Sequence, residues 1–157
     1  MELDPKYAHP YKDRGNAYQK KGNYDQAIAD EGKAIELDPK YAQAYSIRGS
    51  AYTSKGDYDR AIADEDKAIK LDPKYAYAYD NRAWAYIRAG KAAQGLPDAE
   101  KSLELRPNDA NLLDTRGHIF EAMGRREEAI ADYRRALSKK PDIQGSKHGL
   151  KRLGASP

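Results

Sequence analysis

Residues 8–41 read AHPYKDRGNAYQKKGNYDQAIADEGKAIELDPKY, and residues 42–75 read AQAYSIRGSAYTSKGDYDRAIADEDKAIKLDPKY. The two stretches are identical at 23 of 34 positions. The step runs on through the rest of the chain. Pro39, Pro73, Pro107 and Pro141 are each 34 apart, as are Gly22, Gly56, Gly90 and Gly124. Arg14, Arg48, Arg82 and Arg116 keep the same step, and so do Asp30, Asp64, Asp98 and Asp132. A fixed period of this length marks an array in which each unit is one supersecondary element that buries its apolar face against its neighbours.

One period holds two helices. Tyr11, Gly15 and Tyr18 recur at helical spacing, and Gly22 supplies the left-handed residue that ends a helix. Residues 24–37 carry a second apolar stripe of Ala27, Ile28, Ala34, Ile35 and Leu37. Asp38-Pro39 closes it, because the residue before proline is pushed out of the helical region. Composition agrees: among 157 residues there is no Val, only two Thr, 25 Ala and 13 Tyr. That palette disfavours sheet and favours helix. We therefore expect an all-α fold, an α-solenoid of stacked antiparallel helix pairs. Its units should be 8–41, 42–75, 76–109 and 110–143, with a capping helix over 144–153.

The pattern resembles the tetratricopeptide repeat, a 34-residue helix–turn–helix unit, and the resemblance implies that the α-solenoid is right-handed. In the first unit the matching residues are Tyr11, Arg14, Gly15, Tyr18, Ala27, Glu31 and Pro39; in the second, Tyr45, Arg48, Gly49, Tyr52, Ala61, Glu65 and Pro73. The third unit matches through Tyr79, Arg82, Ala83, Tyr86, Gly95, Ala99 and Pro107, and the fourth through Leu113, Arg116, Gly117, Phe120, Ala129, Tyr133 and Pro141. The resemblance covers about residues 8–143.

Three departures from that pattern carry expectations. Arg stands in a Leu place in every unit, with Asp sixteen residues later, so four structural ion pairs are expected: Arg14–Asp30, Arg48–Asp64, Arg82–Asp98 and Arg116–Asp132. Glu31 and Glu65 occupy an aromatic place; a lone buried carboxylate is costly, so each should lean toward an arginine or reach solvent. Gly95 and Pro97 make the third unit irregular, and the helix over 92–105 should start late or kink near Gly95.

The two ends differ. Residues 2–7 copy 36–41, which reads as the tail of a preceding repeat and hence as a piece of a longer array. On that reading the outer face of the first helix is an exposed stacking surface. After Pro141, Ile143, Leu150 and Leu153 can cover the last unit while Lys147, Lys151 and Arg152 face water. This cap should be short, and residues 154–157 disordered.

The resemblance also implies where function sits. In the family, the first helix of each unit lines a concave groove that holds a peptide or helix of a partner. Carried over by position, the groove takes Lys12 and Asn16 from the first unit and Gln43 and Ser50 from the second. The third contributes Tyr77, Asp80, Trp84, Ile87 and Arg88, and the fourth Asn111 and His118. Trp84, the sole Trp, stands where other units have Asn16, Ser50 and His118. Tyr77, Trp84, Ile87 and Arg88 make a candidate hot spot, since aromatics and Arg dominate such patches. Packing against a gap at Gly95 and Pro97 is the competing role for Trp84. The carboxylate clamp with which some relatives hold acidic chaperone tails is not reproduced. Lys12 and Asn16 fit it, but Ile47, Tyr77 and Asn81 do not.

Composition narrows the function further. There is no Cys, so thiolate zinc and a Cys nucleophile are excluded. His9, His118 and His148 are scattered, and no cofactor, metal or catalytic motif emerges, so the chain is not expected to be an enzyme. Net charge is +3, divided as −1 over residues 1–75 and +4 over 76–157. The basic end carries Arg134, Arg135, Lys139 and Lys140 without interleaved stacking aromatics, so nucleic acid ranks low as a partner. No apolar run is long enough to span a membrane. The absence of Cys and of a signal peptide favours a cytoplasmic location. The expected function is a protein–protein interaction scaffold. The alternative is an array segment that self-associates end to end.

Overall fold

Each repeat turns at a glycine. Gly22, Gly56, Gly90 and Gly124 have φ of 78°, 83°, 73° and 74°, a region closed to most side chains. The residue after each glycine donates its N–H five residues back, as in Asp57 to the Tyr52 carbonyl at 3.0 Å, which satisfies the helix end. The computed structural model describes residues 8–157. Among these the elements are α1 (Ala8–Lys20), α2 (Tyr24–Leu37), α3 (Ala42–Lys55), α4 (Tyr58–Leu71), α5 (Ala76–Arg88), α6 (Ala92–Leu105), α7 (Ala110–Ala122), α8 (Arg126–Lys139) and α9 (Gln144–Arg152). No strand occurs among the described residues.

Consecutive helices pack as antiparallel pairs, and pairs stack in chain order. The stacking is asymmetric. Helices α1, α3, α5, α7 and α9 each touch the next member of that series, whereas α2, α4, α6 and α8 touch none of their own among the described residues. The odd-numbered helices therefore form the tighter, inner layer, and the solenoid curves around them. Curvature of this kind gives an extended concave surface.

Small residues set the closeness of each hairpin. A Cβ on Gly49 would lie 3.1 Å from the Ala61 carbonyl oxygen, and one on Gly117 would lie 2.6 Å from the Tyr133 ring. In the third hairpin the roles exchange: Ala83 stands on α5, and Gly95 on α6 makes room for it. A Cβ on Gly95 would come within 2.9 Å of the Ala83 carbonyl oxygen. The expected late start of the 92–105 helix is therefore corrected. Helix α6 begins at Ala92 and has the same 14 residues as α2, α4 and α8, with Pro97 inside it. Pro97 removes one ladder hydrogen bond, but its fixed φ is helical, and Gly95 preserves the close approach.

The apolar core thickens toward the C-terminus. Leu112, Leu113, Ile119, Tyr133 and Leu150 are the largest fully buried apolar side chains. In the first two hairpins the fully buried positions are held by Ala27, Ala34, Ala61 and Ala68, and by Glu31 and Glu65. Helix α9 covers the last hairpin with Ile143 and Leu150, while Lys147, Lys151 and Arg152 are exposed. The disorder expected for 154–157 is also corrected. Ala155 packs against the cluster of Phe120, Ile130, Tyr133 and Leu150. Arg134 donates to the Ser156 carbonyl at 3.0 Å and Arg126 to the Leu153 carbonyl at 2.5 Å. Two arginines and an apolar contact hold the tail down. The expectation about residues 2–7 lies outside the described residues.

Candidate protein-binding surface

The arginines of the inner helices meet the aspartates of their partner helices. Arg14 reaches Asp30 at 2.6 Å, Arg48 reaches Asp64 at 2.7 Å, Arg82 reaches Asp98 at 2.6 Å and Arg116 reaches Asp132 at 2.6 Å. Every pair is bidentate, the strong form of this bond. Each guanidinium also lies near the ring of an aromatic on its own helix, Tyr11, Tyr45, Tyr79 or Phe120. These groups are internally answered and brace the hairpins.

The concave face is stitched from unit to unit. Gln19 donates to Ser50 at 2.6 Å, Asn81 to Ser46 at 3.0 Å, Tyr77 to Asp109 at 2.8 Å, and Ser146 to Asp114 at 2.5 Å. The first two bonds join neighbouring repeats, the third ties α5 to the residue that caps α7, and the fourth ties the capping helix to α7, so the lining helices form a continuous wall.

An aromatic row crosses the last two units. The Trp84 ring meets His118 edge-on at 5.4 Å, and His118 meets Tyr133 at 5.3 Å. Tyr133 donates its hydroxyl to Glu121 at 2.6 Å, and its oxygen lies 3.0 Å from His118 Nδ1. Glu121 in turn accepts two bonds from Arg152 on the capping helix, which holds its carboxyl below the usual range. Burial holds the His118 imidazole below its ordinary value, so it is neutral near pH 7.

The remaining positions on this face divide. Ile87 packs with Ala83, Ala99 and Ile119 in the core. Tyr77 is half-buried, with the Arg106 guanidinium 4.9 Å from its ring. Lys12 is half-buried and pairs with Asp13 at 2.6 Å. Asn16, Ser50, Asp80, Trp84 and His118 are half-buried, and Gln43, Arg88 and Asn111 are exposed. The structure thus brings Trp84 and His118 together, packs Ile87 into the core, and covers Gly95 with Ala83.

Glu31 and Glu65 correct the sequence expectation. Both are fully buried, and none of their carboxylate oxygens has a hydrogen-bond partner. Neither leans on an arginine, because each unit's arginine is already committed to its aspartate. Burial pushes the Glu31 carboxyl up to about 9, so it is a neutral acid near pH 7, and burial also holds Glu65 well above the usual range. They fill the space that Tyr133 fills in the last unit. Asp80 behaves similarly: its Oδ1 is shut from solvent without a partner, and burial pushes its carboxyl up to about 7. No local signal in the sequence marks Asp80, whose surroundings come from three helices.

The wall, the curvature and the braced hairpins define a helical-repeat scaffold with one continuous inner surface. Family models for the tetratricopeptide repeat match residues 12–76, 66–96 and 110–143, and the chain belongs to that family. No curated protein matches the chain. Among solved structures it resembles MamA, at 29% identity and a TM-score of 0.72 over 88% of this chain and 75% of that one. It also resembles the first TPR domain of human RPAP3, at 29% identity and a TM-score of 0.70 over 74% of this chain and 91% of that one. YrrB, described as a TPR protein with an unusual peptide-binding site, shares the fold at 20% identity and a TM-score of 0.68. That match spans 94% of this chain and 85% of YrrB.

Proposed function

We propose that the concave face of α1, α3, α5 and α7 binds a peptide or helix of a partner protein. The observation that carries the reading is Trp84. It is the sole Trp, it is half-exposed on an inner helix, and it is held edge-on by His118 on the next. A rigid aromatic on a braced wall loses little entropy when it binds, which is the physics of an anchor residue. YrrB lends support as a protein of the same fold with a peptide-binding site. Tyr77 and Arg88 share α5 with Trp84 and extend the patch; Lys12, Asn16, Gln43, Ser50, Asn111 and His118 line the rest. The experiment is a peptide-library pull-down read by Trp84 emission. Saturable binding is expected, and anisotropy of the labelled peptide, which needs no tryptophan, should show a loss of about 2 kcal/mol in Trp84→Ala. A ligand whose affinity is unchanged in that variant would take Trp84 out of the site.

A second reading, end-to-end association through α1, has its own observation. Ala44, Ala78 and Leu112 are fully buried where α1 has half-buried Pro10, and Ala51, Ala85 and Ile119 are fully buried where α1 has exposed Ala17. The Arg14 side chain is 45% exposed against 21–23% for its three counterparts. This face of α1 matches surfaces that other units bury against a preceding hairpin. Light scattering across concentration tests it, and a monomer at every concentration would end it.

A further inference from the structure

The acidic groups around the inner wall of the last two units are not equally answered. Asp109 receives the Tyr77 hydroxyl and Arg106 at 3.2 Å. Asp114 receives Ser146 and faces His118 at 3.6 Å. Glu121 receives Arg152 and Tyr133. Among the described residues Asp80 forms no ion pair, and its Oδ1 has no hydrogen-bond partner. Behind it lies Glu65, fully buried, both oxygens unpartnered, with Ser46, Asn81 and Asp80 as its polar neighbours. Unsatisfied buried oxygens are rare in folded proteins, and each calls for an explanation.

We propose that Asp80, flanked by Tyr77 and Trp84 on α5, receives a lysine or arginine side chain from an extended cationic segment of the partner. Tyr77, Asp80 and Trp84 lie at i, i+3 and i+7, one face of the helix. A carboxylate that shares a helix face with two aromatic residues can offer a cation charge and π-faces together. Arg106, 4.9 Å from the Tyr77 ring, already shows one of these rings taking a guanidinium. The inference rests on the groove reading and names the chemistry of its ligand. It differs from the clamp chemistry of the family, which takes acidic tails, and the residues of that clamp fail here at Ile47, Tyr77 and Asn81.

Titration separates Asp80 from its surroundings. A carboxyl with its midpoint at about 7 is roughly one-tenth ionised at pH 6 and nine-tenths at pH 8. The titratable groups facing it are Glu65 on α4, Asp109 just before α7 and Asp114 on α7, with Thr115 as its polar neighbour; Arg106, just after α6, pairs with Asp109, and His118 on α7 faces Asp114. Of these, burial holds the Glu65 carboxyl well above its ordinary value and holds the His118 imidazole below its own.

The test uses the full chain and short Lys–Gly, Ser–Gly and Glu–Gly repeat peptides of equal length, read by anisotropy and Trp84 emission. The expected result is binding of the Lys–Gly peptide alone, tightening about tenfold from pH 6 to pH 8. Asp80→Asn should flatten that response. Equal binding of all three peptides, or a pH response that survives Asp80→Asn, would overturn the cation site and leave the groove reading standing. No binding by any of them would overturn the site too, while the groove reading would fall only with an empty library screen. Carboxyl NMR on the wild type keeps the test independent of the variant's folding. Saturating Lys–Gly peptide should lower the Asp80 midpoint, and an unmoved midpoint would reject the proposal.

Discussion

Arg82 holds Asp98 across sixteen residues of chain through two parallel bonds, Nε to Oδ2 at 2.8 Å and Nη2 to Oδ1 at 2.6 Å. Its remaining nitrogen reaches back to Asp66 of the preceding repeat at 2.5 Å. One side chain thus braces its own hairpin and the joint to its neighbour.

Removing it should be costly. Arg82→Ala leaves Asp98, whose side chain is 10% exposed, without its counter-charge. The expected loss is about 3 kcal/mol by urea unfolding. Arg14→Ala should cost less, by about 1 kcal/mol or more, because Arg14 is 45% exposed where Arg82 is 22%, and among the described residues it has no second bond like that of Arg82 to Asp66, although Asp30 too is 10% exposed. Equal losses in the two variants would contradict the bracing role assigned to the stacked arginines.

Stability should fall with rising pH. Glu31 is held as a neutral acid with its midpoint at about 9, whereas in the unfolded chain it ionises near 4.5. Between those values the native chain binds the extra proton, so stability is full below about pH 4.5 and declines until about pH 9. Glu65, also raised, acts in the same direction. The slope for each is at most about 1.4 kcal/mol per pH unit. Glu31→Gln and Glu65→Gln should flatten the profile measured by thermal melts from pH 5 to pH 8. A profile as steep in the double variant as in the wild type would count against neutral burial.

Gly95→Ala tests the exchanged pair. Alanine is the better helix former by about 1 kcal/mol, yet its Cβ would press on the Ala83 backbone. A net loss of about 1–3 kcal/mol is expected. Adding Ala83→Gly should recover much of it, giving a strongly non-additive double-mutant cycle.

Hydrogen exchange should show a gradient. The large buried apolar side chains lie in α7, α8 and α9, while α1 to α4 are packed through alanine and the two glutamic acids. Amides of α1 and α2 should exchange before those of α7 and α8. Uniform protection along the chain would show that unit stability does not follow local core size.

The period, the helix ends and the arginine–aspartate spacing are legible in the chain because they obey local rules. A glycine at φ near +75°, a proline after the second helix and a contact sixteen residues apart recur identically in each unit. In a solenoid each repeat touches only its neighbours, so one period describes most of the architecture. The exchanged Ala83 and Gly95 looked irregular singly and became regular once α5 and α6 were seen in contact. The same holds for Pro97, which one hairpin absorbs without losing its start.

Burial of particular polar groups lies beyond any such rule. Glu31, Glu65 and Asp80 are ordinary acids in the sequence, and their environments are assembled from helices of adjacent repeats. Asp80 meets Thr115 from α7 and lies beside Glu65 from α4; Glu31 is fully enclosed where an arginine had been expected to meet it. The protonation state of a carboxyl depends on every group that surrounds it in space, and that enclosure exists only when the repeats stack.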